Sequence, residues 1–537
     1  MNKKALGYIS VLSLPVLYLA CGILGMLQYQ AIDDRWVCQI VSGQYFPADY
    51  HLISTSSFLG YGLWSLYQFN ANISWYDWII SIANCLAAGY ICYVFFVHNR
   101  EKLIKLLPLA CLIICGYRFF NTGYTVAASF LAGAAVLPLI VPGVKVSKSM
   151  KFFSGVLVVI ALQFRPEMAI ITIALAFGYY VVVKLIQKSS WSKPDLIKFI
   201  RENKFIIILL LFAFIFKYWG NSLYDTKYAS IVKPSYKIGD FGLRGYNEKW
   251  QGYNITENEF LLLNYGIVGP NGYKLSGIEM KDLISSYEID WGKRIAKGIK
   301  NTIKDLSNGR NYGLLALIIL CISIFPNNNS IVMLLLAMGL IWVTGVVGCK
   351  MSYRFALPIG SLAGMVAIYH MQTGIKTRWI QKILMAGLLL VIGINMFSES
   401  QRLGKACQDQ STVNPEVKAV TQYCIDNQVD NVVCWGPLFS HDNKKLFHKA
   451  QVAPEINSFC MFGWPTLSPN NINHIKEKLN DDYSGFYEVN RHYWLLKNIP
   501  QSYLENWLQD QNANLKVELV LETAGTRLFK ITEHKSR

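Results

Sequence analysis

Asp33 and Asp34 stand side by side in Tyr29-Gln30-Ala31-Ile32-Asp33-Asp34-Arg35-Trp36. A carboxylate can take the proton from a hydroxyl as that hydroxyl attacks, a form of base catalysis that contributes about 10²–10⁴-fold. The same acids at a helix start would cap free N–H groups and suit the dipole, and capping and catalysis are compatible. The cations that could serve such chemistry lie far along the chain. Lys350-Met351-Ser352-Tyr353-Arg354-Phe355-Ala356-Leu357-Pro358 puts Lys350, Tyr353 and Arg354 at a helix start. Two cations there can hold a phosphate, the arginine through its planar fork of donors. Snorkelling of long basic side chains to an interface is the alternative, and it is weaker here because positive charge is disfavoured in short outer loops.

Arg165-Pro166-Glu167 is a third place of interest. An arginine at membrane depth costs about 2.5–3.5 kcal/mol on insertion scales, so it faces a partner or a cavity. Either Arg165 closes a tight turn against Glu167, with Pro166 starting the next helix, or it holds an anionic ligand and Glu167 meets an acceptor. Arg118 is a lonelier case and reads as structural. His51 is a polar contact or a contact to an acceptor.

The elements that must position these residues are long and apolar. Of the 537 residues, 53% are hydrophobic and 16% charged, against about 25% charged in soluble domains. The apolar residues come in blocks rather than stripes, which predicts a polytopic α-helical membrane protein. Roughly eleven transmembrane helices fit, each needing about 17–25 apolar residues or fewer where tightly packed. Their expected limits are 5–27, 76–97, 103–118, 123–142, 152–164, 167–186, 204–219, 311–326, 330–349, 353–371 and 381–397. The run of the first continues past Tyr18-Leu19-Ala20-Cys21 to Leu27, so it is expected to be an uncleaved span rather than a signal peptide.

Net charge is +17, but the basic residues cluster in particular loops, which is a topology signal and not a nucleic-acid footprint. His98 to Lys102, Lys145 to Lys151, Lys184 to Lys204 and Lys376 to Lys382 fall on one side. The N-terminus is therefore expected in the cytoplasm, with loops 28–74 and 220–310 and the tail 398–537 outside. The 12 cysteines are scattered and contain no CxxC pair; they read as small core residues.

The outer segments have their own patterns. From Asp33 to Gly43, Trp36, Val37, Ile40 and Val41 share one helical face and Arg35, Gln39 and Ser42 the other, as in a helix lying along a membrane surface. The segment Phe58 to Tyr67 is aromatic and also reads as interfacial. Loop 220–310 holds a Gly-rich stretch and a helix near Met280 to Lys304. The chain divides into a transmembrane domain, 1–397, and a soluble extracytoplasmic α/β domain, 398–537. In the latter, Pro415 to Asn427 predicts a helix and Asn431 to Trp435 a strand. Leu515, Val517, Leu519 and Leu521 alternate ahead of a turn and Leu528 to Ile531, which predicts a terminal hairpin.

Taken together, the acid pair, the Val41-Ser42-Gly43-Gln44-Tyr45 turn and Tyr353-Arg354-Phe355-Ala356-Leu357-Pro358 resemble the GT-C class of membrane glycosyltransferases. The resemblance is to the branch of protein O-mannosyltransferases and the lipid A aminoarabinose transferase, and covers residues 1–397. It implies a multi-pass enzyme of the inner (cytoplasmic) membrane that works on cell-envelope polysaccharide, glycolipid or protein. The implied donor is a polyprenyl-phosphate sugar taken from the lipid bilayer, and the acceptor lies on the extracytoplasmic face. Carried over by position, Asp33 would be the base with Asp34 its partner or replacement, and Arg354 would hold the lipid phosphate. Asp-Asp stands where that branch often has Asp-Glu, and the basic-proline segment after the turn is missing.

The nearest rival is a polysaccharide polymerase or O-antigen ligase-like enzyme, which needs outer arginines but no acid pair. A transporter would show matched halves with broken spans, and none is legible. A sensor or scaffold with an outer ligand domain is a further alternative. No cofactor and no metal site are expected, since two carboxylates without a third ligand are a weak signal for a divalent ion.

Overall fold

The structure is a computed structural model. It describes residues 27–29, 32–43, 48–52, 55–98, 121–140, 146–187, 193–222, most of 246–260, 291–306, 328–348, 362–366, 415–435, 457–460, 487–491, 515–523 and 526–533, with isolated residues besides. The expected spans at 103–118, 311–326 and 381–397 lie outside the described residues, as does most of those at 5–27 and 353–371.

Two very short strands, β1 (Gln28–Tyr29) and β2 (Asn121–Thr122), pair in parallel, Gln28 with Asn121 and Tyr29 with Thr122. Between them the chain forms α1 (Ile32–Ser42), α2 (Ser57–Phe69) and α3 (Trp75–His98). After β2 come α4 (Tyr124–Ile140), α5 (Lys148–Phe164), α6 (Pro166–Gln187), α7 (Lys193–Ser222), α8 (Glu248–Gly252), α9 (Trp291–Leu306) and α10 (Asn328–Gly348). Helices α3 and α6 are long and apolar enough to cross a membrane by length and composition; α4 and α10 are shorter apolar helices.

The centre of the bundle is α4, which packs against α3, α5 and α6. It is buried all round, from Tyr124 to Ile140, with only Phe130 and Leu139 partly open. Its composition explains this. Ala127, Ala128, Ala132, Ala134 and Ala135 are small enough to let three neighbouring helices approach at once, the usual packing rule inside membranes. Gly133 completes the pattern: a Cβ there would lie 3.9 Å from Thr172 and 4.0 Å from Leu362.

The α5–α6 connection follows from Pro166. A residue before proline is pushed out of the helical region, and Arg165 is extended at φ −156° and ψ 96°. The helix therefore stops at Phe164 and restarts at Pro166, where a missing N–H costs nothing. Arg165 is left at the corner, its N–H bonded back to Ala161 O at 3.1 Å.

The described part of the tail holds α11 (Pro415–Asp426) and five strands, β3 (Asn431–Trp435), β4 (Asn457–Cys460), β5 (Tyr487–Arg491), β6 (Leu515–Glu522) and β7 (Thr526–Glu533). They form one mixed sheet in the order β4-β3-β5-β7-β6, parallel across its first half and antiparallel in the β6–β7 hairpin. The helix at 415, the strand at 431 and the hairpin thus fall where the sequence placed them. Val420, Cys424, Val432 and Leu528 form the small core between α11 and the sheet.

One expectation is corrected. Helix α1 does not lie on a surface with a polar face outward. Trp36, Val37, Cys38, Ile40 and Val41 are buried, and so are Asp34 and, from the other face, Gln39. The helix packs against α2, α3 and β1. The side-chain amide of Gln39 has no hydrogen-bond partner among the described residues.

Candidate active site

The β1–β2 pairing sets the site. It brings the residues just after the first expected span beside the start of α4, and Asn84 of α3 fastens β2 by donating to Thr122 Oγ1 at 2.6 Å. Asp34 then meets Gly123 and Tyr124. Its Oδ1 accepts the Tyr76 hydroxyl at 2.7 Å and the Tyr124 backbone N–H at 2.7 Å. The first N–H groups of a helix have no partner inside it and carry the positive end of the dipole. Asp34 supplies one such partner, and the N–H it accepts belongs to α4, a helix ninety residues away in the chain. The close approach needs Gly123: a Cβ at that position would sit 2.7 Å from Asp34 Oδ2.

Arg165 reaches the same place from the α5–α6 corner. Its Nη1 donates to Thr125 Oγ1 at 2.8 Å, and its guanidinium carbon lies 5.4 Å from the centroid of the Tyr124 ring. That is within the range of cation–π attraction. An acid and a cation from distant segments thus converge on Tyr124 and Thr125, at the opening of α4. The backbone of Asp33 lies in the first turn of α1, next to Asp34; its side chain is outside the described residues. So are Lys350, Tyr353 and Arg354.

The polar turn around Arg165 is used at each of its positions. Gln163 accepts from Ser56 twice, through its carbonyl at 2.9 Å and its side-chain oxygen at 2.7 Å. Ser56 in turn caps α2, accepting from Phe58 and Leu59 N–H. Phe164 is buried. Glu167 pairs with Lys217 of α7 at 3.2 Å, with both side chains more than a third exposed. Such an exposed pair is worth little stability.

His51 sits in a second polar group that the sequence did not single out. Asp49, fully buried, accepts at Oδ1 from the His51 N–H at 3.0 Å and lies 2.6 Å from its Nδ1. Asp49 Oδ2 accepts the Asn470 backbone N–H at 3.0 Å, and the Asn470 side chain donates to Ala48 O at 2.8 Å. One carboxylate therefore ties segment 48–51 to Asn470 of the tail. Tyr50 stacks on His51 with centroids 4.1 Å apart. The loop is fixed to α1 by Asp49 N–H donating to Ile40 O at 2.9 Å, after Gly43 has turned the chain at φ +70°. That left-handed value is the usual glycine end to a helix.

Tyr76 and Asp49 are the functional candidates that sequence reading missed. Tyr76 stands at the start of an apolar span and Asp49 two residues before a histidine, so nothing in the local sequence marks either. Tyr67 supports the site from behind, accepting the Tyr76 backbone N–H at 3.3 Å and lying 3.2 Å from Cys38 Sγ. Burial, and then the neighbouring Cys38, push the Tyr67 phenol well above its ordinary pKa. It stays protonated. Among the described residues no three His, Cys, Asp or Glu gather as a metal site.

No family model matches this chain, and no curated protein matches it. Among solved structures, the crystal structure of ArnT from Cupriavidus metallidurans bound to undecaprenyl phosphate overlaps 96% of this chain and 98% of its own. The two are 11% identical, and the TM-score is 0.35. A score that low carries no argument about shared chemistry.

Proposed function

We propose that this protein is an integral-membrane glycosyltransferase of the GT-C type. It moves a sugar from a polyprenyl-phosphate donor to a hydroxyl of a cell-envelope glycan, glycolipid or protein on the extracytoplasmic face. The observation that carries this reading is that Asp34 and Arg165 both reach the first turn of α4, the acid at the Tyr124 N–H and the cation at the Tyr124 ring and the Thr125 hydroxyl. Acceptor activation needs the first and phosphate departure the second.

In the proposed reaction an acceptor hydroxyl oxygen attacks the anomeric carbon and its proton passes to a carboxylate. The bond from that carbon to the phosphate oxygen breaks as the glycosidic bond forms, with inversion. Polyprenyl phosphate leaves with the bonding pair. Asp33 is the base. Asp34, already accepting two hydrogen bonds at Oδ1, anchors the pair. Arg165, with Lys350, Tyr353 and Arg354, binds the departing phosphate, where fixed donors stabilise developing charge without reorganisation. His51, oriented by Asp49, and Glu167 contact the acceptor.

The test is a product analysis. Purified protein is incubated with radiolabelled polyprenyl-phosphate sugars and envelope acceptor. The proposal expects label in the acceptor with inverted configuration and stoichiometric release of polyprenyl phosphate. Retention of configuration would overturn the single-displacement mechanism. Transfer that needs no lipid-linked donor would overturn the donor class.

A further inference from the structure

We infer that the tail is part of the acceptor side of the site, and that Asn470 is a positioning residue that aims His51 through the Asp49 carboxylate. This rests on the reading above only in that His51 meets the acceptor.

Asp49 is the junction. It is fully buried, and a buried carboxylate is tolerated where its oxygens are paired. Its two oxygens serve two parts of the chain, Asp49 and Asn470 being 421 residues apart. Oδ1 accepts the His51 N–H at 3.0 Å and lies 2.6 Å from His51 Nδ1, while Oδ2 accepts the Asn470 N–H at 3.0 Å. The carboxylate is planar, and the torsion that turns it is broad, with little preference of its own. What holds Oδ2 therefore sets the direction of Oδ1, and with it the His51 ring. The His51 N–H belongs to the same short segment and cannot fix that direction relative to the rest of the molecule. Asn470 can.

The tail is a firm reference for two reasons. The first is polar. The backbone is helical at Asn470, Asn473 and Glu477, and the sequence places Pro469 just before, the residue favoured at a helix start. N–H groups in a first turn have no partner within the helix and suit a negative charge, so Asp49 caps this helix from outside. The Asn470 side chain adds a second bond, donating to Ala48 O at 2.8 Å. The second reason is apolar. Leu528 of β7 lies in the small core with α11. Ile531, on the opposite side of that strand, is buried in the same apolar cluster as the bundle helices, together with Leu515 of β6. From the other side, α1 accepts the Asp49 N–H at Ile40 O at 2.9 Å, and Tyr50 packs edge-on against Tyr61 and Trp64 of α2. Segment 48–52 is thus clasped between bundle and tail, with part of the His51 side chain open to solvent.

The experiment uses the full chain in nanodiscs and compares native protein, Asn470→Ala and Asn470→Pro. Alanine removes only the bond to Ala48. Proline, tolerated in the first turn of a helix, also removes the N–H that Asp49 accepts. Resistance of Cys424 in the tail core to maleimide, read by mass spectrometry, shows that the tail is still folded; if the proline variant fails this check, Asn470→Ala carries the test. Hydrogen exchange of the peptide holding residues 48–52 should quicken by about tenfold in Asn470→Pro, and less in Asn470→Ala. The envelope concentration that gives half-maximal transfer should rise by about tenfold in Asn470→Pro. The half-maximal concentration of polyprenyl-phosphate sugar and kcat should change little, because Asp34 and Arg165 are held by other contacts. A loss confined to kcat, or shared equally by donor and acceptor, would overturn the positioning role, as would faster exchange with no change in acceptor use. Unchanged exchange would overturn the clasp, whether or not the chain transfers sugar. Native protein that transfers from no polyprenyl-phosphate donor would sink the reading of the reaction and the acceptor role with it, while faster exchange in the variants would still uphold the clasp.

Discussion

Asp34 Oδ1 accepts from the Tyr76 hydroxyl and the Tyr124 N–H, so removing a single donor is informative. Tyr76→Phe leaves the ring in place and takes away the hydroxyl. A hydrogen bond to a charged group is worth about 1.5–3 kcal/mol. If that energy is used to aim the acid pair, kcat should fall by about 10- to 100-fold with KM for the donor little changed. Unchanged turnover would reduce Tyr76 to a packing role. Gly123→Ala tests the same contact from the other side. Its Cβ would fall 2.7 Å from Asp34 Oδ2, so either the carboxylate or the start of α4 must move. Activity is expected to drop more than expression, as read by transfer per milligram of folded protein. Arg165 belongs to the same scale. Lysine cannot reproduce a planar fork, so Arg165→Lys should lose most transfer while keeping the charge.

Helix ends and turns decide where those side chains point. Ser56 both caps α2 and clasps Gln163 beside Arg165. Ser56→Ala should lower stability by about 1 kcal/mol from the cap alone, more if Gln163 is left unsatisfied. Gly60→Ala should cost more, because its Cβ would lie 2.1 Å from the Tyr50 carbonyl oxygen and backbone must move. Thermal unfolding in detergent ranks the two; a Gly60→Ala protein as stable as native would mean α2 can slide away from the 48–52 segment.

This is also the scale at which the sequence could be read well and badly. Long apolar runs marked α3, α4, α6 and α10 to within a few residues, because length and hydropathy are local properties. Pro166 marked the break between α5 and α6 for the same reason. What could not be read was pairing at a distance. Nothing local says that Gln28 and Tyr29 lie beside Asn121 and Thr122, yet that pairing puts Asp34 on Tyr124. Nor does a helical wheel show that Gln39 of α1 is buried along with its apolar face. The wheel sorts residues by polarity, and Asp34 and Gln39 are polar residues buried by other elements.

At the scale of the whole molecule, the helical bundle and the tail meet at Asp49 and Asn470. The tail has its own small core, and Cys424 belongs to it. Burial pushes the Cys424 thiol up to about 11. Only the thiolate reacts readily with an electrophile, so Cys424 should resist maleimide at neutral pH in the native protein and react quickly in denaturant. Rapid labelling of the native chain would mean the α11 packing is open in solution.

The most direct measurement of the central claim is sugar transfer in membranes with Asp33→Asn, Asp34→Asn and the double variant at matched expression. A panel of radiolabelled polyprenyl-phosphate sugars serves as donor, and total envelope as acceptor. Asparagine keeps the size and hydrogen-bonding shape of each acid but cannot take a proton. Transfer should be abolished in the double variant and fall by at least about 10²-fold in Asp33→Asn, with a smaller loss in Asp34→Asn. Full transfer by the double variant would contradict the claim that this acid pair activates the acceptor.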